Sequence, residues 1–115
     1  MKARTFQEWA SYYERRAEPL EVPPGFSLLF EPENGFMYYR IEGDAVLVDH
    51  TATHDMDYWH ERARKIARAN GCHYVVTQTL RCPKAYARKS KAHLDLPRSG
   101  VRANGRFYWV FVEEV

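Results

Sequence analysis

Apolar positions recur at spacings that change along the chain, and each change marks an element. Phe6, Trp9, Tyr13 and Ala17 fall at helical spacing just after Thr5-Phe6-Gln7-Glu8, where Thr and Glu three apart can cap each other's amides. A first helix is therefore predicted to open at Thr5. Pro19 and the Pro23-Pro24-Gly25 cluster end it, because proline lacks an amide donor and restricts the residue before it. Three runs rich in aromatic and aliphatic residues follow: Phe26 to Phe30, Phe36 to Ile41 and Ala45 to His50. The turn chemistry between them, Pro32-Glu33-Asn34-Gly35 and Glu42-Gly43-Asp44, predicts an antiparallel meander.

From Asp55 the period becomes helical again. Met56, Trp59, Ala63, Ile66 and Ala67 form one stripe, while Glu61, Arg62, Arg64, Lys65 and Arg68 are expected to face water. Asp55 is the expected N-cap, Asp57 complements the positive end of the helix dipole, and Asn70-Gly71 supplies a left-handed stop. Cys72 to Thr79 reads as a buried strand, parallel to Ala45–His50 if the crossover is right-handed. A short helix is expected to start at Pro83, and Asn104-Gly105 between Val101 and Phe107-Tyr108-Trp109-Val110-Phe111-Val112 predicts a terminal hairpin.

Composition narrows the class. With 45% hydrophobic and 15% aromatic residues in 115, the chain reads as one globular domain over 1–115. It has no continuous apolar run of signal-peptide or membrane-span length, which predicts a cytoplasmic protein with no membrane partner. Cys72 and Cys82 are the only cysteines, two thiols suited to a reducing compartment and without the paired spacing of a zinc site. The formal net charge of +2 hides an asymmetry: residues 1–61 carry 5 basic and 12 acidic residues, and the rest carry 12 and 3. A basic surface for an anionic partner, or mutual neutralisation of the two halves, would each account for it.

The predicted order α-β-β-β-α-β-α-β-β, an α/β (α+β) arrangement with a mixed, mostly antiparallel sheet flanked by helices, resembles the GNAT acetyltransferase fold lacking its usual first strand. Locally, His73 to Lys89 (HYVVTQTLRCPKAYARK) and the closing Phe-Val-Glu-Glu-Val are similar to the later strands and helix of small, phage or mobile-element members. The resemblance implies an acetyl-CoA site where Ala45–His50 splays from Cys72–Thr79, with the pyrophosphate at the N-terminus of the Met56 helix. Val48, Thr51, Thr53, His54, Asp55 and Tyr58 would then contact the cofactor. A helix N-terminus does offer free amides and partial positive charge to phosphate. The turn Thr51-Ala52-Thr53-His54-Asp55-Met56-Asp57, however, lacks the glycines of the family's Arg/Gln-x-x-Gly-x-Gly/Ala turn.

By the same resemblance Asp49 or His50 would deprotonate an amine substrate and Tyr86 would protonate the leaving thiolate. Asp49, His50, His54, Asp55, Asp57 and His60 also gather metal-ligand chemistry within twelve residues, but at the spacing of no compact metal motif. An alternative function is a non-catalytic module binding nucleic acid or an acidic protein through Arg81, Lys84, Arg88 and Lys89. The aromatic-rich last strand offers an edge or face for a homodimer.

Overall fold

The computed structural model describes residues 3–80 and 92–115. Helix α1 (Phe6–Arg16) leads into a meander of β1 (Ser27–Glu31), β2 (Gly35–Glu42) and β3 (Ala45–Ala52). Helix α2 (Met56–Ala69) crosses to β4 (Tyr74–Thr79); then come β5 (His93–Leu94), a 3₁₀ turn (Leu96–Arg98), β6 (Gly100–Val101) and β7 (Phe107–Glu114). The sheet runs β1-β2-β3-β4-β7-β5, with β6 paired to β7. Only the β3–β4 pairing is parallel among the described strands. The helix expected from Pro83 falls outside the described residues.

Both helices begin as their sequences dictate. Thr5 Oγ1 accepts from the Glu8 amide at 3.1 Å while Glu8 Oε1 accepts from the Thr5 amide at 2.9 Å, a reciprocal capping box. Asp55 caps α2 by accepting from the Tyr58 amide at 3.2 Å. Two predicted solvent-facing arginines of α2 turn inward instead: Arg62 pairs with Glu31 of β1, and Arg64 Nε lies 2.5 Å from Glu113 Oε2 of β7. Their long apolar stems let a charged head reach a strand carboxylate while the helix covers the sheet.

Alternation along β1 and β2 divides the core between the helices. Leu29, Met37 and Tyr39 pack with Val46, Val48 and the Trp59–Ala63–Ala67 stripe of α2; Phe30, Phe36 and Tyr38 pack with Trp9 and Tyr13 of α1. Neighbouring residues of a strand point to opposite faces, so α1 and α2 cover opposite faces of the sheet. The two buried tryptophans then close on one turn: Trp9 Nε1 donates to the Pro32 carbonyl and Trp59 Nε1 to that of Asn34, each at 2.9 Å. Gly35 makes this closure possible. Its φ is +107°, and a Cβ there would sit 1.8 Å from the Ala52 carbonyl oxygen.

Two strand differences stand out. Strand β3 runs to Ala52, two residues past the predicted His50, because Phe36 pairs with Ala52 and Met37 with Thr51 after an irregularity in the β2–β3 register. Strand β5, absent from the predicted order, pairs His93 with Val112 and Leu94 with Phe111; two residues are too few to leave a period in the sequence.

Candidate functional site

The parallel β3–β4 ladder pairs Ala45 with Tyr74, Val46 with Val75, Leu47 with Val76 and Val48 with Thr77, and it stops there. Both strands continue, so beyond Val48 and Thr77 they part. A cleft of about 380 Å³ opens between them, lined by Thr51, Ala52, Thr53 and Met56 on one side and Gln78, Thr79 and Leu80 on the other, with Tyr12, Tyr13 and Arg16 of α1 adjoining. A larger hollow of about 800 Å³ lies along Leu47, Tyr74, Val76, Val110 and Val112, but none of its charged lining residues is buried.

A β-bulge furnishes the cleft. Tyr38 pairs with Asp49 and Met37 with Thr51, leaving His50 as an extra residue in β3. His50 adopts φ +26°, the one positive value at a non-glycine among the described residues. In a regular strand Asp49 and His50 would face opposite sides. Here Asp49 meets Arg102 and His50 meets Tyr13 of α1, so two consecutive polar side chains enter one buried cluster.

Arg102, in the turn between β6 and β7, is the cluster's centre. Its Nη2 donates to Asp49 Oδ1 at 2.6 Å and its Nη1 to Asp49 Oδ2 at 3.2 Å, while its Nε lies 2.9 Å from Glu18 Oε1. Asn104 Nδ2 donates to the same Glu18 oxygen at 3.0 Å. Burial opposes the Arg102 charge, but hydrogen bonding and the charges of Asp49 and Glu18 raise its pKa above the ordinary guanidinium value. Glu18 and Asp49 are each 2% exposed, and Arg102 gives both buried carboxyl groups a charged partner.

Tyr13 joins the carboxylate to the imidazole. Its hydroxyl lies 2.6 Å from His50 Nδ1 and 3.2 Å from Glu18 Oε2, and His50 Nε2 lies 2.9 Å from the Glu21 carbonyl. A carbonyl only accepts, so Nε2 carries a hydrogen and Nδ1 of the neutral ring accepts from Tyr13. Protonation at Nδ1 would reverse that bond and turn the Tyr13 hydrogen toward Glu18. Burial first, then the charges of Glu18 and Asp49, push the Tyr13 hydroxyl well above the usual tyrosine range. Tyr13 therefore keeps its proton.

A second cavity, about 480 Å³, shares Glu18, His50, Gln78 and Arg102 with the first and is otherwise lined by residues such as Glu21, Val22, Asn104 and Tyr108. These four shared residues form a polar wall common to both spaces.

Of the residues singled out in the sequence, His50, Thr51 and Thr53 line the cleft; Val48 is the last paired residue beside it. Asp49 stands behind the wall, its carboxylate bound to Arg102 and to the His50 amide at 2.8 Å. Asp55 is occupied as the α2 cap, and His54 stacks against Trp9 and Tyr12, its Nδ1 3.2 Å from the Tyr12 hydroxyl. Tyr58 points elsewhere: its hydroxyl donates to Glu31. Tyr86, Arg81, Lys84, Arg88 and Lys89 lie outside the described residues. Sequence reading missed Glu18, Tyr13 as a polar residue, and Arg102. Pro19 made Glu18 look like a helix end, and no local spacing links these three.

By sequence, no family model and no curated protein matches the chain. Solved structures do. An acetyltransferase from Bacillus cereus is 14% identical, with a TM-score of 0.53 over 78% of this chain and 71% of that one. The ribosomal-protein-S18-alanine N-acetyltransferase from Escherichia coli is 12% identical, with a TM-score of 0.55 over 99% of this chain and 92% of that one. The fold is GNAT-like. A GNAT-like sheet accounts for the expected mixed topology, and the parting of β3 from β4 falls where the GNAT resemblance puts it. A third structure, a proposed acetyltransferase from Agrobacterium tumefaciens, matches 91% of this chain and 84% of that one at 14% identity and a TM-score of 0.55.

Proposed function

We propose that the chain is an acyl-CoA-dependent N-acyltransferase, with acetyl-CoA as donor and an amine as acceptor. The observation that carries this reading is the cleft between the diverging ends of β3 and β4, walled by a buried chain of hydrogen bonds running from His50 through Tyr13 to Glu18. Thr51 and Thr53 would meet the donor along β3 and its exit, with the α2 N-terminus beyond them. The donor supplies a thioester whose carbonyl carbon is open to attack.

An amine attacks a thioester only as the free base, so a proton must leave it. In our reading that proton passes to the Tyr13 oxygen as the Tyr13 hydrogen passes to His50 Nδ1. Tyr13 never becomes an anion, in keeping with its raised pKa. The resulting imidazolium is balanced by Glu18, whose Oε2 lies 3.6 Å from Nδ1. The nitrogen then bonds to the carbonyl carbon, the carbon–sulfur bond breaks, and the proton still carried by that nitrogen passes to the departing thiolate, leaving an amide and a free thiol.

Titration calorimetry with acetyl-CoA, followed by mass-spectrometric detection of acetyl transfer to a panel of amines, tests the proposal. Binding heat together with transfer that falls at least about a hundredfold in Tyr13→Phe and His50→Gln supports it; no heat at millimolar acetyl-CoA sinks it.

A further inference from the structure

The charged residues lining the first cleft are Arg16, Glu18, Arg102 and Arg106, apart from the imidazole of His50. Glu18 and Arg102 form an ion pair, Nε lying 2.9 Å from Oε1, and Arg102 is further held by Asp49. Arg16 and Arg106 have no acidic partner among the described residues. The space therefore presents two uncompensated positive charges and no uncompensated negative one, a field that draws in an anion.

A neighbouring ring holds the Arg16 guanidinium, and a tight turn fixes the backbone that carries Arg106. Arg16, in the last turn of α1, lies over the Tyr12 ring at 4.5 Å, and the Tyr12 hydroxyl reaches His54, two residues before α2 begins. Arg106 ends a tight turn: the Arg102 amide donates to its carbonyl at 2.8 Å, Gly105 takes φ +87°, and the Arg106 amide donates to Asn104 Oδ1 at 2.9 Å. Thr53 and Met56, flanking the start of α2, line the same cleft. The turn leading into that helix has no glycine, so its backbone cannot close around a phosphate as a glycine-rich turn does.

From this we infer that Arg16 and Arg106 form a side-chain clamp for the phosphates of a nucleotide-linked thioester, doing with two guanidiniums what a glycine-rich turn does with backbone amides. The inference rests on the acyl-CoA reading and gives it a specific anion site. Guanidinium forks match phosphate oxygens in pairs, so each arginine adds charge-assisted hydrogen bonds as well as attraction.

The test compares two donors by calorimetry: acetyl-CoA, and S-acetylpantetheine, which keeps the thioester arm and lacks every phosphate. Wild-type protein is set beside Arg16→Ala, Arg106→Ala and the double variant, with circular dichroism confirming that each folds. Expected is a loss of about tenfold in acetyl-CoA affinity for each substitution, with S-acetylpantetheine affinity unchanged and the salt dependence of acetyl-CoA binding flattened in the double variant. Wild-type affinity retained by the double variant overturns the clamp while leaving the acyl-CoA reading standing. Equal losses for both donors also overturn it, since the arginines would then act on the arm or the fold. Failure of the wild-type protein to bind either donor overturns the clamp and the acyl-CoA reading together.

Discussion

Arg102 and Asp49, 53 residues apart, meet through two hydrogen bonds of 2.6 and 3.2 Å in a place where water barely reaches the carboxylate. The contact joins the last hairpin to the middle of the sheet, and through Glu18 it also fastens the chain leaving α1. One guanidinium thus holds three distant segments by charge. Replacing a buried pair entirely can be neutral, whereas removing one partner strands a buried charge. Arg102→Met is expected to cost about 3–5 kcal/mol in urea unfolding, and adding Glu18→Gln and Asp49→Asn to recover a good part of it. A triple variant as unstable as the single one would show that packing, not charge, holds the hairpin.

Tyr13 sets the alkaline limit of stability. Its folded pKa is raised above the ordinary value of 10.0, chiefly by burial. The unfolded chain therefore releases this proton first, so its contribution is complete below about pH 10 and declines as pH rises through the folded value. Tyr38, raised by burial as well, adds in the same direction. Tyr13→Phe is expected to shallow the fall in unfolding free energy above pH 10, measured from urea midpoints, and to cost about 1–3 kcal/mol at neutral pH by removing the one hydroxyl hydrogen shared between His50 and Glu18.

At the acid end the sensitive group is Glu31. Burial works against its charge, but hydrogen bonds from Tyr58 and Asn34 and the charge of Arg62 outweigh burial and hold its pKa below the ordinary 4.5. A depressed carboxyl contributes stability above its unfolded pKa and loses it as pH falls through the folded one. Glu31→Gln should therefore flatten the urea-midpoint profile between roughly pH 5 and 3. A profile parallel to wild type would assign acid lability to other carboxylates.

Gly35 is where packing leaves no latitude. A methyl group at φ +107° would overlap the Ala52 carbonyl at 1.8 Å and approach Thr53 Cα at 3.1 Å. Gly35→Ala must push β2 from the end of β3, and we expect at least about 2 kcal/mol of destabilisation together with weakened acetyl-CoA binding, because Ala52 and Thr53 line the cleft. Stability lost with binding intact would mean that the strand ends move apart without disturbing the cleft.

The elements were legible because their signals are local. Thr5 and Glu8, Asp55, Asn70-Gly71 and Asn104-Gly105 each act within a few residues, and the β3–α2–β4 crossover follows from ordinary handedness. The divergence of β3 from β4 was legible too, through the GNAT resemblance. The polar wall was not. Glu18 meets Asn104 across 86 residues and Tyr13 meets His50 across 37, so no window along the chain holds both partners. Arg102 is one of the twelve basic residues of 62–115, and nothing beside it in the sequence says that its charge is spent inside the protein. Arg62 and Arg64 misled in the same way: helical period assigns a face, but it cannot foresee a carboxylate on a strand below.

The bulge at His50 has a consequence for how the scaffold and the wall depend on each other. Asp49 already pairs with Tyr38 and Thr51 with Met37, so excising His50 would let Thr51 follow Asp49 while every remaining cross-strand partner stayed in place. The ladder is indifferent to this residue; the chain of hydrogen bonds through Tyr13 is not. The imidazole is an insert carried by a sheet whose pairing is complete without it, and a one-residue deletion would leave the ladder regular and Tyr13 without its partner.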